Sequence, residues 1–201
     1  MRRTLLVLVM VSLSVLFLMC AKKKQEEVQP GVVFQVEEMQ PFTYCAIEKI
    51  GSFDQQTDAW KVFMEEVAKQ AIQPGDMIGV YFSDPSVVPT DSLVWDIGAI
   101  IPDSVVIAEP LKKKSWAFTS VVTKEYQGAF SRMDSTYAEL MKSIADNGYK
   151  VCGPTIEQYL TAPTPDSTGQ MGGQIKIIMP VEKIQAAESA PESDTTVQPV
   201  Q

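Results

Sequence analysis

Gly51-Ser52-Phe53-Asp54-Gln55-Gln56-Thr57-Asp58-Ala59-Trp60-Lys61-Val62-Phe63-Met64-Glu65-Glu66-Val67-Ala68 has a second version 77 residues on (128 − 51), Gly128-Ala129-Phe130-Ser131-Arg132-Met133-Asp134-Ser135-Thr136-Tyr137-Ala138-Glu139-Leu140-Met141-Lys142-Ser143-Ile144-Ala145. Gly51 pairs with Gly128, Phe53 with Phe130, Trp60 with Tyr137, Phe63 with Leu140, Met64 with Met141 and Val67 with Ile144. A self-match at fixed register is a sign of repeated architecture, and two copies are too few for a solenoid. The expected fold is α+β, a duplicated strand-helix-strand-strand unit with pseudo-two-fold symmetry.

Outward from that stretch, each copy reads alike. Phe42 to Ile50 is rich in β-branched and aromatic residues and predicts a strand that Gly51-Ser52 breaks. A helix follows over about Asp54 to Ala71, with Trp60, Phe63, Met64, Val67 and Ala71 on one face and Pro74-Gly75 beyond it. Strands are expected at Met77 to Ser83 and Leu93 to Ile101, with a loop at Asp84 to Asp91. In the second copy, Trp116 to Lys124 reads as the opening strand and Asp134 to Asn147 as the helix, with Tyr137, Leu140, Met141, Ile144 and Ala145 inward and Gly148 past its end. Thr155 to Leu160 and Gln174 to Val181 read as closing strands around a polar loop, Thr161 to Gly173. The copies are thus about 36–101 and 114–183. Their helices should cover one face of an antiparallel sheet, leaving the other face free and a cleft between the copies.

The ends differ from this body. Met1-Arg2-Arg3 and the uncharged run Thr4 to Met19 have the form of a secretory signal (1–19), shorter than the roughly 20 residues a membrane-spanning helix needs. Cys20 follows at once and resembles the lipidated first residue of a bacterial lipoprotein, although Met19 stands where such signals carry a small residue. An uncleaved anchor and a soluble secreted form are the alternatives. Each places the body outside the cytoplasm, and the first two tie it to the membrane of the cell envelope. Residues 20–31 read as a polar tether and 184–201, rich in Ala, Ser, Glu, Pro and Thr, as a disordered tail. The intervening 32–183 is the folded domain.

Charge and composition exclude several classes. Without residues 1–19 the chain keeps 15 Lys+Arg against 25 Asp+Glu, a balance of −10 that argues against nucleic acid as a partner and favours cationic ligands. There is no histidine, so no His-dependent triad, His-ligated zinc or imidazole switch is available. No metal site or cofactor is expected. Cys45 and Cys152 are expected to be a buried, reduced pair, although pairing outside the cytoplasm stays open.

Glu157 is the leading candidate for chemistry. Alternation in Thr155 to Leu160 puts Glu157 and Tyr159 on one face, and alignment of the copies sets them against Gly79 and Tyr81. The tyrosine recurs and the carboxylate does not. A carboxylate in an aromatic cleft is costly unless a cation or hydrogen bonds compensate it, and tyrosine and tryptophan faces attract cations. The plainer reading is that Glu157 caps a backbone group or pairs with Lys150 or Lys176, and that Tyr81 and Tyr159 are core. Trp95 and Trp116 are expected to line the pocket, Trp60 to be core. Met39, Met64, Met77, Met133 and Met141 read as core by spacing, and Lys112 to Lys114 as a solvated loop.

Several segments together resemble a family. Asp84-Pro85 after an aromatic-ended strand, Leu93-Val94-Trp95-Asp96, Gly128-Ala129-Phe130 at the helix start, Gly153-Pro154-Thr155-Ile156-Glu157-Gln158-Tyr159 and Ile177-Ile178-Met179-Pro180-Val181 are similar to the GyrI-like small-molecule-binding domain. This is the AraC-type effector-binding domain, found fused to DNA-binding domains in multidrug-responsive regulators and alone in a gyrase inhibitor. The likeness spans about residues 36 to 183. It implies the doubled unit and the binding of hydrophobic, often cationic, small molecules in the cleft, with Glu157 as the charged group. Residues 21–35 are too few for a DNA-binding domain, so no transcription-factor role is expected. Some relatives hydrolyse electrophilic small molecules, which implies an enzymatic alternative with Glu157 as general base and Tyr159 or Tyr81 donating to the leaving oxygen. A third alternative is an envelope protein-interaction domain without ligand, its cleft filled by its own side chains.

Overall fold

The computed structural model describes residues 34–185. The signal-like run 1–19, Cys20, the tether and the tail from Ala186 onward lie outside the described residues. Ten strands and two α-helices follow in the order β1 (Val36–Glu38), β2 (Phe42–Ile50), α1 (Gln56–Lys69), β3 (Met77–Tyr81), β4 (Val94–Ile101), β5 (Lys112–Trp116), β6 (Ser120–Ala129), α2 (Asp134–Asp146), β7 (Tyr149–Val151), β8 (Thr155–Tyr159), β9 (Thr164–Pro165) and β10 (Met171–Lys183). All pairings are antiparallel, in the order β1-β6-β10-β8-β3-β4-β2-β5, with β7 and β9 added to β10. The strands β6-β10-β8 and β3-β4-β2 form two halves joined at β3 and β8, and the short strands that precede β2 and β6 cross over, β1 to the outer edge of β6 and β5 to the outer edge of β2.

That crossing corrects the sequence reading in two places. The strand expected over Trp116 to Lys124 is two strands: β5 ends at Trp116, and β6 starts at Ser120 after the break Ala117–Thr119. Lys112 to Lys114, expected in a solvated loop, are β5 itself and pair with Ala46, Cys45 and Tyr44 of β2. Alternation within β5 turns Lys114 toward the sheet, where its Nζ lies 2.9 Å from both oxygens of Asp96 and 2.7 Å from Glu48. Asp96 is fully buried and also accepts from Tyr44 Oη at 3.1 Å. At the other edge the polarity is reversed. Tyr44 faces Lys114, and Val121, 77 residues on from Tyr44, faces Glu37 of β1, which meets Lys176 of β10 at 3.7 Å. The crossed strand that carries a base, β5, thus meets two acids, and the one that carries an acid, β1, meets a base.

The helices bury narrow stripes, Ala59, Phe63 and Val67 in α1 and Thr136, Leu140 and Ile144 in α2. Met64 and Met141, expected to face inward, are each 46% exposed because they fall beside that i, i+4, i+8 row. Ser52 caps the turn before α1 by accepting from Asp54 N–H at 3.2 Å. The helix ends at Lys69, earlier than the expected Ala71. Ala71 there adopts φ 52°, with Ala71 N–H donating to Ala68 O and Ile72 N–H to Val67 O, the Schellman closure. In α2 the corresponding residue is Gly148, φ 75°. An alanine held left-handed is strained, so Ala71→Gly is expected to raise the unfolding free energy by about 0.5–1 kcal/mol. Urea denaturation checks this, and a loss would mean that the turn is not strained.

Both helices lie on one face, over two clusters. The first includes Ile47, Phe63, Trp95 and Ile97, the second Val122, Leu140, Ile175 and Ile177. The other face is not free, as the sequence reading had it. Tyr44, Ala46, Ile78, Val80, Trp116, Val121, Ile156 and Ile178 form a third buried cluster there, with Phe42 and Phe118 packed against it. The crossed strand β5 and the linker after it bring Trp116 and Phe118 back over this face.

Candidate functional site

β3 and β8 meet at the centre of the sheet with Gly79 directly opposite Glu157, Tyr81 opposite Thr155 and Met77 opposite Tyr159. Because residues directly opposite in an antiparallel pair point the same way, Met77, Gly79, Tyr81, Glu157 and Tyr159 share the helix-covered face. Gly79 has a steric role. A Cβ there would stand 2.8 Å from Tyr81 Oη, so the missing side chain lets the Tyr81 ring fold back toward the carboxylate across the seam. Tyr81 Oη donates to Glu157 Oε2 at 2.9 Å, and Tyr137 Oη, from α2, donates to Oε1 at 2.6 Å. The Tyr159 hydroxyl lies near enough to Glu157 to pull its pKa down. Gln56 Nε2, at the start of α1, donates to Tyr81 Oη at 2.9 Å.

Burial raises the Glu157 pKa above the usual carboxylate value, and the hydroxyls of Tyr137, Tyr81 and Tyr159 pull against that rise. The same crowding, together with the nearby carboxylate, pushes the phenols of Tyr81, Tyr137 and Tyr159 well up, so all three stay protonated donors. Although densely surrounded, Glu157 keeps partial solvent exposure. Neither of the two lysines considered from sequence reaches it: Lys150 pairs with Glu182 at 2.9 Å and Lys176 with Glu37.

Beside this group lies a cavity of about 600 Å³, within the ~300–1,000 Å³ common for small-molecule sites. Trp60 and Met64 of α1, Met77 of β3, and Phe130, Tyr159 and Met171 from the second half line it, with Gln56, Thr57 and Thr161 supplying polar groups. No charged side chain is in its lining. Tyr159 joins the two features, because its ring is in the cavity wall, edge-on to Trp60 at 5.2 Å and to Phe130 at 6.1 Å, while its hydroxyl lies close enough to feel the Glu157 charge. The carboxylate therefore lies one phenol behind the wall. A second depression of about 540 Å³, between Gln127–Ala129, Thr161–Thr164 and Gly172–Gln174, is more open and has no aromatic residue in its lining.

The structure brings together Glu157, Tyr159 and Tyr81 of the residues expected from sequence. It sets Trp95 directly opposite Tyr81 but keeps it out of the cavity lining, and it puts Trp116 on the other face. Trp95 is fully buried in the first core cluster, its indole N–H donating to Gly51 O at 2.9 Å, and Trp116 belongs to the cluster on the opposite face, donating to Phe118 O. Both were expected to line the pocket, but alternation puts Trp116 on the other face, and Trp95, on the helix-covered face, is sealed in the core with Phe63 and Val67 of α1 and Phe53 against its ring. Trp60, expected in the core, packs against it and also lines the cavity, and Met64 and Met77 line it too. The contributions of Tyr137, Gln56 and Phe130 went unseen in the sequence. For Tyr137 the signal was present, since it occupies the repeat position of Trp60. Both cysteines are free thiols, but only Cys45 is buried; Cys152, expected to be buried too, is exposed.

Restoring a side chain at position 79 tests this arrangement. Gly79→Ala is expected to displace Tyr81 and remove a charge-assisted hydrogen bond worth about 1.5–3 kcal/mol when intact. Carboxyl-carbon NMR should then show Glu157 titrating at higher pH than in the unaltered protein. An unchanged titration would mean that Gly79 does not position Tyr81.

Solved structures share this fold. The chain is similar to the C-terminal domain of EcmrR (TM-score 0.62, 17% identity, covering 75% of this chain and 97% of that one). It is also similar to SAV2435 bound to tetraphenylphosphonium (TM-score 0.53, 16% identity, 75% and 94%). A third similar structure is a hydrolase encoded by lin2189 from Listeria innocua (TM-score 0.55, 15% identity, 80% and 98%). No curated protein matches the chain by sequence. The model of one family, described as the GyrI-like small molecule binding domain, matches residues 33–182, and the chain belongs to that family.

Proposed function

We propose that this small-molecule binding domain takes a hydrophobic cation in the cavity between its halves, with Glu157 as the counter-charge. The observation that carries the proposal is a carboxylate with its charge held by phenol donors instead of a lysine or arginine, set one ring behind an aromatic cavity wall. Such a charge is stabilised by hydrogen bonds yet not neutralised, so an arriving cation gains attraction without displacing an ion pair. The faces of Trp60, Phe130 and Tyr159 add cation–π attraction of about 0.5–2 kcal/mol each. That a similar structure is bound to tetraphenylphosphonium supports the ligand class. Calorimetric titration of the protein with tetraphenylphosphonium is the test, and absence of saturable binding would end the reading.

In the same proposal the domain is exported and held at the outside of a membrane through a lipid on Cys20, as the run Thr4 to Met19 followed by cysteine suggests. Metabolic labelling with a fatty acid should tag the unaltered chain and not Cys20→Ser. A hydrolytic alternative draws on one observation, the burial-raised pKa of Glu157, which suits a general base. Against it, both carboxyl oxygens already accept from phenols. Turnover of an activated electrophile that disappears in Glu157→Gln would favour it. The ligand-free interaction domain required a filled cleft, and the cavity of about 600 Å³ counts against it.

A further inference from the structure

The proton arrangement around Tyr81 fixes how Gln56 is turned. Tyr81 has one hydroxyl proton, and it is given to Glu157 Oε2. Its contact with Gln56 at 2.9 Å must then be one in which the glutamine amide donates, which places Nε2 toward Tyr81 and leaves Oε1 as the acceptor end of the same side chain. Among the described residues nothing donates to that oxygen. Gln56 is half-buried, at the first position of α1, and lines the cavity.

We propose that Gln56 is a specificity-determining residue that selects cations carrying an N–H, protonated alkyl or aryl amines, over quaternary onium ions of the same size. This rests on the reading of the cavity as a site for hydrophobic cations. An ammonium entering a wall without charged groups must find an acceptor for its N–H or lose a hydrogen bond it had in water, whereas a quaternary centre has no such requirement. With Gln56 Oε1 as acceptor, the ligand N–H, the glutamine amide, the Tyr81 hydroxyl and the Glu157 carboxylate form one chain in which every donor points from the cation toward the anion. Bonds aligned in this sense strengthen one another in a low-dielectric interior. Thr57 and Thr161 also line the cavity and offer hydroxyl oxygens, but no hydrogen bond joins either of them to the Tyr81–Glu157 pair.

The test compares a triphenylalkyl dimethylammonium salt, which carries one N–H, with its N-methylated quaternary analogue, by calorimetry on the full chain at neutral pH. The unaltered protein is expected to favour the N–H compound by about tenfold, the equivalent of one hydrogen bond to a charged group. Gln56→Met, similar in length but without the acceptor, should bring the ratio to about one, and Gln56→Glu, which restores an acceptor, should recover the preference. A ratio near one in the unaltered protein, or a ratio unaltered by Gln56→Met, overturns the assignment. The two levels are separable. Glu157-dependent binding of the quaternary salt without N–H preference defeats this inference alone, and no binding of either salt defeats the cavity reading along with it.

Discussion

Replacing Glu157 by glutamine is expected to weaken tetraphenylphosphonium binding by about ten- to a hundredfold at neutral pH. A cation roughly 7 Å from the carboxylate gains about 2.4 kcal/mol at an effective dielectric near 20, and each 1.4 kcal/mol is a factor of ten. The loss must depend on pH, because only the ionised form attracts the ligand. Since burial raises the Glu157 pKa, affinity in the unaltered protein should fall as pH drops through that raised value, while Glu157→Gln shows a flat profile. Stability should move the other way. A carboxyl whose pKa is raised on folding binds more protons in the native state, so its contribution to stability grows as pH falls toward the unfolded value. Any stability advantage of Glu157→Gln should therefore shrink on acidification. Equal affinities in the two proteins across the pH range would remove Glu157 from the site.

Lys114→Met is expected to cost about 3–5 kcal/mol of unfolding free energy, the penalty for leaving a buried charge without its partner. Asp96 is fully buried, and once the ammonium is gone only Tyr44 Oη remains to donate to it. Burial already raises the Asp96 pKa against the pull of Lys114 and Tyr44. Without Lys114 the carboxyl should be protonated at still higher pH. The cost is then greatest in neutral and alkaline solution and diminishes in acid, where a neutral carboxyl is buried instead of a charge. Adding Asp96→Asn to Lys114→Met should recover most of the loss, since that pair leaves no buried ion. Denaturant unfolding at two pH values checks this, and a loss below about 1 kcal/mol would show the contact to be of the weak surface kind. Glu37 and Lys176 at the other edge, about a third or more exposed and 3.7 Å apart, should show only such a small effect.

The halves were legible where periodicity and spacing are local. The matched segments from Gly51 and Gly128 do lead into α1 and α2, and β2, β3, β4, β8 and β10 lie where alternation put them to within a few residues, apart from the early start of β10. The crossed strands were not legible. β1 has three residues and β5 begins with three lysines, so neither carries an apolar pattern that names its partner; the information is in single charges, Glu37 and Lys114, whose partners lie 139 and 18 positions away. Glu157, Tyr81 and Tyr159 could be read together because alternation and the repeat put them on one face. Trp116 was misread because composition does not say against which face an aromatic is buried, and Trp95, on the right face, because alternation does not say that α1 seals it off from the cavity. Tyr137 reaches the carboxylate and Gln56 reaches Tyr81 from helix positions, and only the packing of α1 and α2 over the seam determines those distances.

The most direct measurement is a crystal structure of the protein soaked with tetraphenylphosphonium. Density for the cation in the cavity between Trp60, Phe130 and Tyr159, on the Glu157 side, is the predicted result. An ordered cation bound elsewhere, or an empty cavity at saturating ligand, would contradict the account.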